Sequence, residues 1–264
     1  MTSTNACSAL LAPSSVVIVG CFGRMGGMLF REAGSKGYGV RGIDKPFDDL
    51  EPLSRASLVI VCIPAAFFEQ TLHRLCPHMR EDAILCDITS VKVAPMQQME
   101  NIWQGSIVGT HPLFGPQHGM DEDLPIALVR GKNCTNTAFE LVRDFFVSLG
   151  YRAFATDADT HDKAMARIQN MNFITSLAYC AQTADDETLK EFITPSFRRR
   201  LNAAKKLLTE DGAMFAGLFD SNPYSMQAVR QFSKLLSLAS AGDIDLLLNK
   251  AQRWWKDDHA RAGN

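Results

Sequence analysis

Along the first 155 residues, short runs of branched apolar residues alternate with stretches of helical periodicity, and no other feature restricts the fold as strongly. Val16–Gly20, Val40–Ile43, Leu58–Ile63, Ala83–Cys86, Ser106–Val108 and Ile126–Val129 read as strands, being short, β-branched and bounded by turn residues. Helical patterns lie between several of them, at Met25–Ser35, Ala66–Leu75, Val93–Trp103 and Thr137–Leu149. That order predicts a parallel sheet with helices on both faces. Leu58–Ile63 is apolar without interruption, as suits a strand buried on both sides.

Beyond about residue 157 the strand signals stop. Asp159–Tyr179, Pro195–Leu208, Ala213–Phe219, Tyr224–Leu238 and Ile244–His259 carry helical periodicity, separated by Asp, Gly, Asn and Pro. Phe232–Leu238 and Leu246–Trp255 are apolar on more than one face, so a homodimer through the helical part is expected. The expected division is a loose tail over 1–15, an α/β domain over 16–156, and a helical domain that also carries the dimer contact over 157–264.

Val16-Val-Ile-Val19 runs into Gly20-Cys-Phe-Gly-Arg-Met-Gly26 and then a helix. A tight turn between strand and helix aims backbone N–H groups and a helix N-terminus at a pyrophosphate. Gly23 allows the phosphate to approach, and Gly26 lets the helix pack closely. The first glycine of the usual G-x-G-x-x-G spacing would fall at Cys21, one residue after Gly20, so the match is imperfect. Asp44 follows 18 residues after Gly26, at the end of the second strand, where a carboxylate accepts from the ribose diol and repels a 2′-phosphate. NAD is therefore expected over NADP, although Asp44-Lys-Pro46 also reads as a plain turn and Arg41 and Lys45 soften the discrimination. The cofactor contacts expected are Gly20, Phe22, Gly23, Arg24, Met25, Asp44, and Ile63 with Pro64 after the third strand. The fold class is thus α/β, a Rossmann-type and mostly parallel sheet followed by an all-helical C-terminal domain.

Composition excludes other classes. A net charge of −2 gives no basic surface for nucleic acid or an anionic membrane. The seven cysteines are scattered, with no C-x-x-C pair, which reads as reduced and intracellular. The apolar runs are too short to span a bilayer, and residues 1–15 lack the pattern of a signal peptide, so a cytoplasmic location is expected.

Four later segments carry a family resemblance: Asp87-Ile-Thr-Ser-Val-Lys92, His111-Pro-Leu-Phe-Gly-Pro116, His161-Asp-Lys-Ala-Met-Ala-Arg-Ile-Gln169 and Thr194-Pro-Ser-Phe-Arg198. In order and spacing they resemble the dehydrogenase half of the bifunctional chorismate mutase–prephenate dehydrogenases, from about Val16 nearly to the C-terminus. No mutase helices precede Val16, so the chain is similar to a monofunctional version. The resemblance implies NAD-dependent oxidative decarboxylation of prephenate to 4-hydroxyphenylpyruvate, a step of tyrosine biosynthesis. Such a reaction needs a group that takes a hydrogen bond or proton from the C4 hydroxyl, work suited to histidine near neutral pH.

By resemblance His111 is that group, placed just beyond the strand Ser106–Val108, and Ser90 assists at the reacting hydroxyl. Ser90 also reads as an N-cap for a helix starting near Val91. Lys92 offers a charge for an anionic substrate but reads equally as a solvated first-turn lysine. Thr194-Pro195 reads as N-cap and first helical residue, which puts Arg198 in the opening turn as a carboxylate ligand. His161 and Gln169 are implied substrate contacts, with Asp159 or Thr160 capping the helix at His161. Four residues after Gln169 the family has a histidine where this chain has Phe173, for which Asn170 or Asn172 could substitute. His73, His78, His118 and His259 match nothing and read as surface residues.

Three rival readings remain. Arogenate dehydrogenase, or a dual-specificity cyclohexadienyl dehydrogenase, would favour an acidic partner for the substrate ammonium. Gln117 is neutral, while Asp121, Glu122 and Asp123 keep that use open. A β-hydroxyacid or imino-acid oxidoreductase would need a catalytic lysine in the helical half, where none sits in a recognisable motif. A non-catalytic NAD sensor would have no reason to keep His111, Ser90 and Arg198 together.

Overall fold

The computed structural model describes residues 16–119 and 123–256. The expected tail over 1–15, the acidic pair Asp121 and Glu122, and His259 lie outside the described residues. The chain divides into two compact units, Met1–Met165 and Ala166–Asn264.

The first unit is built on one seven-stranded sheet in the order β2-β1-β3-β4-β5-β6-β7. The strands are β1 Val16–Val19, β2 Val40–Ile43, β3 Leu58–Val61, β4 Ile84–Asp87, β5 Ile107–Pro112, β6 Pro125–Arg130 and β7 Arg152–Thr156. Strands β1 to β5 run parallel, so their carboxyl ends share one edge. The chain crosses from β2 past β1 to reach β3, which makes the β1–β3 gap a topological switch point, the usual crevice for a ligand in such sheets.

The two-residue period of a strand sorts side chains between two cores. Val16 and Ile18 of β1 join Leu58, Ile60 and Val108 under helices α1 Arg24–Ser35 and α4 Asn136–Ser148. Val17 and Val19 face the other way with Val59, Val61 and Leu85, covered by α2 Phe68–Leu75 and α3 Val93–Ile102. Because both faces are covered, the sequence shows apolar runs rather than alternation at β1 and β3.

Two expectations need correction here. A seventh strand, β7, pairs with β6 beyond the six expected strands. None of its residues is fully buried, so Arg152-Ala-Phe-Ala-Thr156 lacks the apolar signal of its neighbours. The fifth strand also runs further than Ser106–Val108: β6 pairs antiparallel with it, His111 opposite Ala127 and Pro112 opposite Ile126. His111 therefore sits within β5, not just after it, and sheet pairing fixes its backbone.

The helical stretch expected over Asp159–Tyr179 is interrupted. An α-helix, α5 Ala158–Met165, gives way to a π-helical turn at Ala166–Asn170 and then to α6 Met171–Ala181. π-Helical turns inside α-helices are rare and often found at functional sites. The second unit continues with α7 Pro195–Thr209, α8 Gly212–Ser221, α9 Ser225–Ser240, α10 Ile244–Ala251 and α11 Arg253–Lys256. Its small core gathers Ala166, Met171 and Ala228, and Asn170 donates to Ser225 Oγ at 2.8 Å. Phe173 is buried and stacks on Phe215 with ring centroids 5.7 Å apart. The residue that departs from the family pattern is thus core packing in this unit, and Asn170 is committed to Ser225, which leaves Asn172 exposed as the other amide. Replacing Phe173 with Ala should destabilise the helical unit by about 3–5 kcal/mol, read by urea unfolding.

Candidate active site

The turn after β1 has room for almost nothing but backbone. Gly20 adopts φ 81°, and a Cβ there would stand 2.4 Å from the Cys62 carbonyl oxygen. A Cβ on Gly26 would stand 2.1 Å from the Gly20 oxygen, so the first turn of α1 rests directly on the strand end. The Gly23 N–H donates to Gly20 O at 3.0 Å, and Gly23 heads α1 with no side-chain cap. The helix thus opens at Arg24 and Met25 with no side-chain cap, and its partly positive end makes a cradle that fits a dinucleotide pyrophosphate. Asp44 braces the turn from β2: Oδ2 accepts the Phe22 N–H at 2.7 Å and Oδ1 the Lys45 N–H at 2.8 Å. Each oxygen keeps a second lone pair for a ribose hydroxyl. Phe22 stands 89% exposed at the tip of the turn, and Ile63 and Pro64 leave β3 on the same edge, across the switch point from Gly20.

Beside this cradle lies a buried polar cluster that the sequence reading missed. Asp87, the last residue of β4, is fully buried. Its Oδ2 accepts the Thr89 N–H at 2.9 Å and pairs with the Lys92 ammonium, while Oδ1 accepts the Thr110 N–H at 3.1 Å. Thr110 Oγ1 returns a hydrogen bond to the Asp87 carbonyl at 2.5 Å. Lys92 is 0% exposed and also donates to Thr89 Oγ1 at 3.1 Å. Burial pushes its ammonium below its ordinary value, opposed by Asp87. The expectation of a solvated lysine, or of one offered to substrate, is therefore corrected: Lys92 neutralises a buried carboxylate. Nor does Ser90 cap a helix near Val91, since α3 starts at Val93 with Lys92 at its N-cap position. Ser90 lies partly buried in the connection from β4 to α3, on the sheet edge where β5 delivers His111.

His111 is 3% exposed, and its Nδ1 meets Nε2 of His161 at 2.9 Å. His161, equally buried, places Nδ1 2.7 Å from Asp162 Oδ1. Asp162 also accepts the Lys92 N–H at 2.7 Å and the Val93 N–H at 2.9 Å. Both ring nitrogens of His161 thus meet protein partners, His111 on one side and Asp162 on the other. Its helix is capped by Asp157, whose Oδ1 accepts from Thr160 N at 2.8 Å, not by Asp159 or Thr160. His111 is held neutral: burial first, then His161 and then the Lys92 charge press its pKa well below the usual histidine value. Among the described residues Nε2 of His111 meets no hydrogen-bond partner, which leaves it available to a reacting group.

Arg198 and Gln169 belong to the helical unit. Thr194 caps α7, its Oγ1 accepting from Phe197 N at 3.2 Å, and Arg198 is exposed in the first turn. Arg200 lies 4.0 Å from the Tyr179 ring centroid. Gln169 is partly buried within the π-helical turn. His118 is not a plain surface residue: its Nε2 faces Glu32 at 3.3 Å and its ring packs edge-on to Phe114. Asp123, one of the acidic candidates, forms an exposed pair with Arg152 at 2.6 Å.

The buried pair sets a stability test. Lys92→Met leaves the Asp87 carboxylate without its counter-charge and should cost about 3–5 kcal/mol. The double change Asp87→Asn with Lys92→Met should recover part of that loss in urea unfolding.

Residues 32–153 match the family described as "Prephenate dehydrogenase, nucleotide-binding domain". The match starts past the glycine turn, so the case for that turn rests on its own geometry. The chain is 29% identical over 259 residues to the T-protein of Enterobacter agglomerans, covering 93% of this chain and 68% of that protein. Two solved structures share the fold. They are Synechocystis arogenate dehydrogenase (TM-score 0.75, 21% identity, 94% of this chain and 99% of the other) and prephenate dehydrogenase from A. aeolicus (TM-score 0.75, 19% identity, 94% and 96%). The motif order, the matched nucleotide-binding domain and the coverage of the T-protein agree: this chain resembles the prephenate dehydrogenase family.

Proposed function

We propose that the chain is an NAD-dependent oxidoreductase that converts prephenate to 4-hydroxyphenylpyruvate in tyrosine biosynthesis. The observation that carries this reading is His111, a buried neutral histidine in the His-Pro-Leu-Phe-Gly-Pro segment, on the sheet edge that also carries the glycine cradle. Bound at that cradle, NAD would supply the hydride acceptor. A. aeolicus prephenate dehydrogenase, of like fold, is described in complex with NAD+ and hydroxyphenyl propionate, which supports the cofactor assignment.

The residues divide the work as follows. Gly20, Phe22, Gly23, Arg24 and Met25 seat the pyrophosphate, Asp44 takes the ribose hydroxyls, and Ile63 with Pro64 borders the nucleotide. His111 Nε2 takes the proton of the C4 hydroxyl as hydride leaves C4 and that carbon becomes a carbonyl. The bond from the ring to its carboxylate breaks, CO2 departs, and the electron pair aromatises the ring. The proton held by His111 then returns to the phenolate oxygen. Ser90 orients the hydroxyl, Arg198, at a helix N-terminus, binds a substrate carboxylate, and His161 and Gln169 are the remaining substrate contacts. The dinucleotide-binding domain spans 16–156 and the substrate-binding and dimerisation domain 157–264. Exposed Leu236, Ile244, Leu246, Leu248, Trp254 and Trp255 on the helical unit support a homodimer. No helix among the described residues is long and apolar enough to cross a membrane, and a cytoplasmic location fits the reaction.

A second reading, arogenate or dual cyclohexadienyl dehydrogenase, has support from the fold shared with Synechocystis arogenate dehydrogenase. NADH formation by the purified protein with prephenate and with arogenate, each with NAD and NADP, separates these outcomes. The expected result is turnover of prephenate with NAD; a clear NADP preference overturns the role of Asp44. His111→Asn should lower kcat by about 10²–10⁴, the range for losing a general base, and a loss under about tenfold contradicts the assignment. Since His111 works unprotonated and burial holds its pKa well below the usual histidine value, kcat/KM should stay flat through neutral pH and fall only in acid. Arg198→Ala should raise KM for prephenate far more than KM for NAD. A stable monomer at micromolar concentration in light scattering would remove the dimer.

A further inference from the structure

Asp162 has no role in the reaction described above, yet it stands behind both histidines. It is fully buried on α5, and main-chain donors hold it in place: the Lys92 N–H on Oδ1 at 2.7 Å and the Val93 N–H on Oδ2 at 2.9 Å. These donors open α3, about 70 residues away in sequence. A carboxylate at a helix N-terminus satisfies N–H groups that would otherwise be orphaned, and the helix holds it in one orientation in return.

The positions of hydrogens follow from that fixed acceptor. Oδ1 lies 2.7 Å from His161 Nδ1, so Nδ1 carries the hydrogen, and an imidazole with a single hydrogen placed there presents Nε2 as a lone pair. Nε2 lies 2.9 Å from Nδ1 of His111, and two ring nitrogens bond only when one of them carries the hydrogen. His111 Nδ1 must supply it. A neutral imidazole has only one N–H, so Nε2 of His111 is left as an unprotonated acceptor.

The geometry points to Asp162 as a positioning residue that acts through His161 to select the His111 tautomer whose Nε2 can take the substrate proton. This rests on the reading of His111 as the base toward the C4 hydroxyl. It also gives His161 work suited to a ring with both nitrogens engaged and 3% of its surface exposed. When the proton arrives, a positive charge spreads over rings backed by the Asp162 carboxylate. Among the described residues, the Lys92 ammonium opposes that charge, and Asp87 in turn neutralises Lys92. Asp162 is thus the carboxylate in direct hydrogen-bond contact with the histidines. Tautomer control, the part a buried carboxylate plays when it bonds the far nitrogen of a histidine, is what these distances specify.

The test uses the full chain with ¹⁵N-labelled histidine and NMR correlation of ring nitrogens near neutral pH, with single histidine replacements for assignment. The wild-type protein should show His111 and His161 both protonated at Nδ1 and bare at Nε2. In Asp162→Asn the amide can donate to His161 Nδ1, which reverses the hydrogens along the pair. The variant should then lose about 10²–10⁴ in kcat, with both KM values within about threefold. A residue that only ties α5 to α3 would lower thermal stability without moving the tautomers. The proposal is overturned if either wild-type ring carries its hydrogen on Nε2, or if a folded Asp162→Asn variant keeps kcat within about fivefold. Should the variant not fold, the wild-type spectrum decides alone. If wild-type protein turns over neither prephenate nor arogenate, the proposed reaction falls, and the ring-nitrogen pattern still reports separately on Asp162.

Discussion

The carboxylate of Asp87 is the constraint around which the sheet edge is organised. A charge with no solvent contact at the end of β4 must find donors, and it finds them in Thr89, Lys92 and Thr110. Each donor fixes something the site needs. Thr110 locks β5 to β4 one residue before His111, while Thr89 and Lys92 shape the connection that carries Ser90 into α3. Removing either partner would leave an uncompensated charge in a medium that solvates it poorly, which makes the pair a demanding but specific joint.

Two sites of different character share this edge. The glycine cradle is made by absence, with Gly20 and Gly26 bringing strand and helix so close that a side chain has nowhere to go. The histidine pair is made by polar satisfaction, with both nitrogens of His161, Nδ1 of His111 and both Asp162 oxygens matched to partners across β5, α5 and the start of α3, and only Nε2 of His111 left over. The parallel strands β1 to β5 bring both to one side because their carboxyl ends coincide. That is why a doubly wound sheet concentrates chemistry at one edge.

Much of this was legible in the sequence, for reasons of range. Val16–Val19 and Leu58–Val61 announce themselves because burial on both faces leaves no polar position to confuse the pattern. The glycine turn and the Thr194 cap are local, and they read correctly as turn and cap. What failed was long-range. Nothing near Lys92 in sequence indicates that its ammonium is buried on Asp87, and a lysine in a first turn is ordinarily solvated. Asp162 reaches α3 across about 70 residues, although its place directly after His161 at a helix start was a usable hint. β7 was missed because its half-exposed residues carry little apolar signal, and the π-helical turn because its residues are ordinary helix formers.

The close contact between Gly26 and the Gly20 carbonyl also bears on how this turn can change over evolutionary time. A side chain at Gly26 would push the helix off the Gly20 carbonyl, and one at Gly20 would run into the Cys62 carbonyl beyond β3, so neither is open to gradual adjustment. Variation in how tightly the turn grips a nucleotide must come from the positions between them, where Cys21, Phe22, Arg24 and Met25 carry side chains the backbone tolerates. The framework is held by steric necessity, and the residues interleaved with it are where adaptation to a different nucleotide, or a different affinity, has room to occur.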